Sequence, residues 1–324
     1  MKKIHQILSI MTMALCFVVS AQAGSPPQFE DWLNREFKPL ALNKGITPET
    51  LNRAFQNVKH MPQSITFDGK QPEQTQSLIQ YQEKRIPPRI VTARKKAKKH
   101  GRVLDTVQNT YGVPKEMILS LWGLESNFGT NMGQFIIVHT LATLAFEGRR
   151  REFFTRELVE ALKILQNQSM HPHHLKGSWA GALGQCQFMP STFNAHAVDA
   201  TKKGYKDIWN STDDVFASIA NYLVNSGWKP NEPWGLEVTL PDGFDERLAT
   251  LSVQKSKQDW AALGVKPAKK DTSLPDLQGS LLIPENQKKA FLVYNNFRVI
   301  LKWNRSTCFA LTVCQFADQI RSYQ

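Results

Sequence analysis

Long apolar runs are nearly missing from this 324-residue chain. The run from Ile7 to Val19 stands alone, and nothing after it approaches the ~20 residues that a spanning helix needs. Lys2 and Lys3 precede that run and Ala21-Gln22-Ala23 follows it, so residues 1–23 read as a signal peptide cut before Gly24, with a periplasmic mature chain. Cys16 raises the question of a lipid anchor, but Leu15 stands before it where a small residue is wanted, and plain cleavage is favoured. Cysteine is scarce too. Beyond the leader only Cys186, Cys308 and Cys314 remain, an odd number. Cys308 and Cys314 lie six apart in an expected helix and so point to different faces, which excludes a disulfide framework. Acids are outnumbered, 28 against 40 Lys and Arg, for a formal charge of +12. Such a balance attracts polyanions: nucleic acid, anionic lipid or an acidic wall polymer. Export argues against nucleic acid. Internal repeats and low-complexity tracts are absent, and 41% apolar with 10% aromatic content supports a core for one large domain or two modest ones.

Against this background one acid stands out. In YGVPKEMILSLWGLESNFG, Tyr111 to Gly129, the positions three, four and seven before Glu125 are Trp122, Leu121 and Ile118, so its face of the helix is apolar. Pro114 suits the first turn and Gly129 the stop. A desolvated carboxyl resists ionisation and can hold a proton to donate near neutral pH. Glu125 is then either a general acid or a helix-end glutamate that reaches water.

Other elements frame it. Phe29–Phe37 and Thr47–Val58 read as short amphipathic helices, Ser64–Asp68 as a short strand, and Gln71–Glu73 as a turn into a polar segment whose Tyr81 is a sugar platform or core. A helix after Pro87-Pro88 carries Arg94, Lys95, Lys96, Lys98 and Lys99, a basic face turned to solvent. Ile136–Phe146 is an apolar helix. Arg149, Arg150 and Arg151 after it could fork onto carboxylates of a ligand or pair with Glu152 and Glu157. His171, His173 and His174 sit in a proline-broken loop without a nearby acid, a poor zinc site. In GSWAGALGQCQFMPST, Gly177 to Thr192, small residues let a ligand approach the backbone or let helices pack closely; Ser178, Gln185 and Gln187 offer hydrogen bonds, and Trp179 and Phe188 offer flat faces. From Glu232 to about Tyr294, WGLEVTLPDGFD, SLLIP and KAFLVY read as strands around the helix SKQDWAAL, and Phe309–Ile320 closes the chain as a helix.

Four blocks now carry a resemblance: GLESNFG, LATLAFEGRRREFF, KGSWAGALGQCQFMPSTF and DIWNSTDDVFASIANYL, with NFRVILKWNRSTCFAL matching at the end. In this order, over nearly all of the mature chain, they resemble the lytic murein transglycosylase B family. The resemblance implies an α+β, mainly α fold: a lysozyme-like helical catalytic domain over 24–324, built of a helical body at 24–230, a small β-rich insertion at 231–295 and a closing segment at 296–324. It implies Glu125 as sole catalytic acid and base, with Tyr81, Arg150, Arg151, Ser178, Gln187 and Asn304 along a glycan cleft and Trp179 and Phe188 facing the sugar. The substrate would be peptidoglycan, cut between N-acetylmuramic acid and N-acetylglucosamine without water, leaving a 1,6-anhydromuramyl end. No cofactor is then required. Partners would be glycan strands and wall-remodelling proteins, not nucleic acid, for an expected monomer. A hydrolytic muramidase and a non-catalytic wall-binding scaffold remain as alternatives. The sequence also departs from the family: Cys186 replaces a usual glycine, and Trp303 and Phe309 replace common tyrosines, which keeps flat faces but removes hydroxyls. Some relatives hold calcium in a loop matching Asp199–Asn210. Here Lys203 stands where an oxygen ligand is needed and Asn210 where a bidentate glutamate would close the loop, so a tight calcium site is not expected.

Overall fold

The computed structural model describes residues 26–68, 77–147, 149–284 and 289–322. The expected leader with Cys16 and the turn at Gln71–Glu73 lie outside the described residues. No helix among those described is long and apolar enough to cross a membrane.

The chain opens with α1 (Pro27–Trp32), a π-helical turn (Leu33–Phe37) and α2 (Lys38–Asn43), followed by α3 (Pro48–Phe55). Thr47 caps α3 by accepting from the Thr50 amide. Ser64–Asp68, expected as a strand, is instead the end of α4 (Pro62–Asp68). Five alternating residues hold too little periodicity to resist their surroundings. Pro62 suits a helix start, the Met61 amide is tied to Thr143 Oγ1 at 2.8 Å, and α4 packs against α9 (Ile137–Glu147).

Next come α5 (Leu78–Arg85), α6 (Pro87–Lys99), α7 (Gly101–Tyr111) and α8 (Lys115–Ser126). Every residue of α8 from Glu116 to Leu124 is buried, as is Ser126. Such a helix, apolar nearly all round, can only sit at the centre. It packs on α15 (Thr307–Arg321), on α6, and on α12 (Thr212–Asn225). The α8–α15 seam carries a buried polar clasp, in which the Ser120 hydroxyl donates to the Val313 carbonyl at 2.7 Å. Cys308 and Cys314 both lie on α15, and Cys314 is fully buried.

On the other side of the core, α9 lies along α10 (Arg151–Asn167), which also holds α11 (Pro190–His196). Residues 235–293 make a four-stranded antiparallel sheet in the order β4-β3-β6-β5, from β3 (Gly235–Thr239), β4 (Lys266–Pro267), β5 (Ser280–Leu282) and β6 (Ala290–Val293), with α13 (Lys257–Ala262) against it. Strand β4 is too short to leave a sequence signal. The sheet has its own apolar cluster around Trp260, Leu281, Leu292 and Tyr294, separate from the main core. Residues 295–303 (α14, Asn295–Trp303) then lead back to the helical body.

Candidate active site

Glu125 sits in the last turn of α8. The helix ends at Ser126, earlier than Gly129, because Asn127 and Phe128 already take left-handed φ values of 50° and 59°. Gly129 continues the turn at φ 82°, and a Cβ there would fall 2.3 Å from Gln185 Oε1. The reversal is therefore pressed against the glycine-rich segment, and glycine is required for that approach.

That segment is neither a helix nor an open loop. Strand β1 (Phe135–Ile136) pairs antiparallel with β2 (Lys176–Gly177), and isolated bridges continue from Gly177 to Leu183 and from Leu183 to Phe188. At Gly177 an added Cβ would meet the Ala182 carbonyl oxygen at 2.1 Å, so no other residue fits this fold-back. Within it, Ser178 Oγ accepts from the amides of Ala180 (3.3 Å) and Ala182 (3.0 Å), which leaves its O–H as a donor. The Gln187 amide nitrogen donates to the carbonyls of Gly184 and Met132. Gln185, expected to offer hydrogen bonds to a ligand, is buried and committed: it accepts from Trp122 Nε1 at 2.8 Å and donates to the Trp209 carbonyl at 2.7 Å. It ties α8 to the segment.

Glu125 is half-buried, and its Oε1 accepts the Trp303 indole N–H at 2.7 Å. Trp303 ends α14 and is gripped by two rings, Tyr222 at 4.8 Å edge-on and Phe188 at 5.3 Å. Tyr222 is held in turn by donating its hydroxyl to the Lys302 carbonyl at 2.7 Å. The indole at position 303 thus supplies a hydrogen-bond donor to the acid as well as a flat face. Sequence reasoning treated Trp303 as a stacking face, and only its place beside Glu125 shows it as a donor. Asn304 follows it, with Oδ1 accepting from the Ser306 amide at 2.9 Å and the side-chain NH2 left over for other acceptors. Cys186 is buried close by: burial, and then the negative charge of Glu125, push its thiol well above the usual range, so it stays neutral.

The other residues expected along a cleft have partners of their own. Phe188 is only 3% exposed, a support for Trp303 and Tyr222 rather than an open sugar platform. Tyr81 is 1% exposed, with the Arg85 guanidinium 4.7 Å over its ring; the amphipathic α5 turns it inward. Arg151 pairs with Glu36 at 2.8 Å, not with Glu152 or Glu157, and lies over the Trp32 ring. Arg150 stands over Phe154 at 4.8 Å, and Trp179 is half-buried beside Phe67. Other acids in the motifs are engaged as well: Glu147 with His60, Glu157 with the Ser191 amide and hydroxyl, and Asp214 with the amides of Ala200, Thr201 and Asp207.

The loop that matches the calcium site of some relatives is closed by its own backbone. Asp199 accepts from the amides of Lys203 (3.0 Å) and Gly204 (2.7 Å), and Asp207 accepts from those of Trp209 and Asn210.

Comparison with known proteins gives the family and the fold. Residues 28–318 match the family described as transglycosylase SLT domain. The chain is 31% identical over 226 residues to the membrane-bound lytic murein transglycosylase B of Escherichia coli (strain K12), covering 67% of this chain and 60% of that protein's length. SltB3 from Pseudomonas aeruginosa, crystallised with NAG-anhNAM-pentapeptide, superposes with a TM-score of 0.86 at 42% identity, covering 90% of this chain and 79% of that one. The soluble lytic transglycosylase SltB1 of the same organism gives 0.80 at 29% identity, over 92% and 99% of the two chains. The lysozyme-like, mainly helical fold is thereby shown.

Proposed function

The chain belongs to the transglycosylase SLT domain family, and from that premise we propose that it is a lytic transglycosylase that cuts peptidoglycan between N-acetylmuramic acid and N-acetylglucosamine without consuming water. The observation that carries this reading is Glu125, a half-buried acid at the end of the central helix whose carboxyl group accepts an indole N–H.

The mechanism follows from having one acid where ordinary glycosidases use two. Protonated Glu125 gives its proton to the glycosidic oxygen as the bond to the anomeric carbon breaks, and the electron pair leaves with that oxygen. The N-acetyl group of the muramic acid residue stabilises the cationic carbon. Glu125, now a carboxylate, takes the proton of the sugar's own C6 hydroxyl as that oxygen attacks. The product is a 1,6-anhydro ring, and Glu125 regains its starting state. Ser178 and Asn304 keep donors for the acetamido and neighbouring hydroxyl groups. Arg150 and the basic balance of the chain suit a polymer bearing lactyl-peptide carboxylates. The signal peptide expected at residues 1–23 supports a periplasmic setting, with wall-remodelling proteins as candidate partners of a monomer, and with no metal needed for any step.

Digestion of purified sacculi tests the reading. The wild-type protein is expected to release muropeptides one water lighter than hydrolysis products, and Glu125→Gln to release none while it still binds and folds. Reducing-end muropeptides would identify a muramidase. No release by the wild type or by Glu125→Gln would leave the scaffold reading.

A further inference from the structure

We propose that the outer face of α6 is a docking surface for an anionic phospholipid bilayer. The stretch from Leu78 to Arg102 holds nine Lys and Arg against one acid, Glu83, a formal +8 within 25 residues of a chain whose total is +12. The fold sorts these cations by direction. Arg89 turns inward and donates to the carbonyls of Gly123 and Arg85, and Lys96 lies 5.1 Å over the buried Trp122 ring. Lys84, Lys95, Lys98, Lys99 and Arg102 are exposed and form no ion pair among the described residues. Ile86, Ile90, Ala93 and Ala97 are spent on the core, so Pro88, Val91, Lys95, Lys98 and Lys99 share the opposite, outward face. Val91 is 55% exposed, more than any other large apolar side chain described.

The shape and chemistry of this row select the partner. A convex helix face has no recess to enclose a single phosphate or sugar carboxylate, and lysine is a point charge without the fork that matches one carboxylate. What fits is an extended, diffuse layer of negative charge. Val91 stands among the cations, and an exposed valine gains by entering the boundary between headgroups and acyl chains, whereas a hydrated acidic polymer offers it nothing. The cations also crowd one another. Burial first, and then the charge of Lys99, lowers Lys96; burial, Lys96 and Lys99 lower His100 against the pull of Asp213. A facing layer of lipid phosphates relieves that repulsion. Because α6 packs on α8, a bilayer seated there lies one helix layer, about 8–10 Å between axes, from the central helix. The docking does not depend on the chemistry assigned to Glu125.

Co-sedimentation of the mature protein with lipid vesicles tests this. The wild type is expected to bind vesicles made of phosphatidylcholine and phosphatidylglycerol in equal parts, to ignore vesicles of phosphatidylcholine alone, and to be released as salt rises, since surface charges are screened. Two charge-matched variants separate this face from net charge: Lys95→Glu/Lys98→Glu/Lys99→Glu on α6, and Lys266→Glu/Lys269→Glu/Lys270→Glu beside the sheet, all at exposed positions. At about fivefold per lysine, the α6 variant is expected to bind roughly a hundredfold more weakly, and the other to stay close to the wild type. Val91→Ser, which leaves the charge untouched, is expected to weaken binding about threefold or more; no loss there would overturn the choice of lipid. Absence of wild-type binding to the anionic vesicles at low salt, or equal loss in the two charge variants, would overturn the docking surface itself. An α6 variant that keeps vesicle binding but loses binding to purified sacculi would overturn it too, with an acidic wall polymer as the occupant. Lys95→Gln/Lys98→Gln/Lys99→Gln, checked for a wild-type melting temperature, gives the same readout if the glutamates disturb folding.

Discussion

Replacing Gln185 with leucine should loosen the joint between the central helix and the glycine-rich fold-back. Gln185 is 7% exposed and holds two short hydrogen bonds, from Trp122 Nε1 at 2.8 Å and to the Trp209 carbonyl at 2.7 Å. Trp122 is itself 1% exposed, its ring enclosed by His100, Phe128 and Phe216, so its N–H has no route to water once Gln185 is gone. An orphaned buried donor costs about 1–3 kcal/mol, and the second lost bond about 1 more. Gln185→Leu is therefore expected to lose about 2–4 kcal/mol in urea unfolding, with an unchanged m-value. The same reasoning sets a stricter demand. In the double variant Trp122→Phe/Gln185→Leu, both partners are absent and neither is left unsatisfied. The double loss should fall short of the sum of the singles by about 1–2 kcal/mol. Additivity within about 0.5 kcal/mol would refute the reasoning, because residues that do not interact add within that margin.

Glu125→Gln is expected to abolish release of anhydromuropeptides from sacculi without moving the melting temperature by more than a degree or two, read by mass spectrometry and by thermal unfolding. Ser120→Ala removes the clasp to the Val313 carbonyl between two buried helices; a loss of about 1–2 kcal/mol is expected by urea titration, and a neutral result would show that the seam needs no polar tie. Burial first, with the charges of His173 and Lys59 beside it, lowers His139 to about 4. Between about 6.5 and 4 the unfolded chain then binds more protons at this position than the folded one, so stability is lost as pH falls through that window. The stability advantage of the wild type over His139→Gln should shrink there by up to about 3 kcal/mol, and a pH-independent difference would contradict it.

Long helices were legible from residues alone: α8 and α9 as apolar segments between stops, α12 and α15 from their apolar spacing. Short elements were not. Ser64–Asp68 alternates like a strand and is a helix, because Pro62, the Met61–Thr143 hydrogen bond and the α9 surface outweigh five residues of pattern. Lys266–Pro267 pairs as β4 only because β3 lies beside it. The glycine-rich segment could be read for what its small residues allow, a close backbone approach, but not for its outcome as a bridged fold-back.

Local pattern by itself marked the long helices, the apolar character of α8 and the odd placing of one acid near its end, since periodicity and apolar spacing act within a few turns; the mainly helical class was what the family resemblance implied. Tertiary structure alone decided what surrounds that acid. Trp303 lies 178 residues away in sequence and reaches Glu125 only because α14 returns to the helical body after the sheet. Gln185 and Gln187 are alike in sequence, yet one is locked against Trp122 and the other is half-exposed. Hydrogen-bond partnership depends on distances of a few ångströms between segments far apart in the chain, and composition holds no record of them.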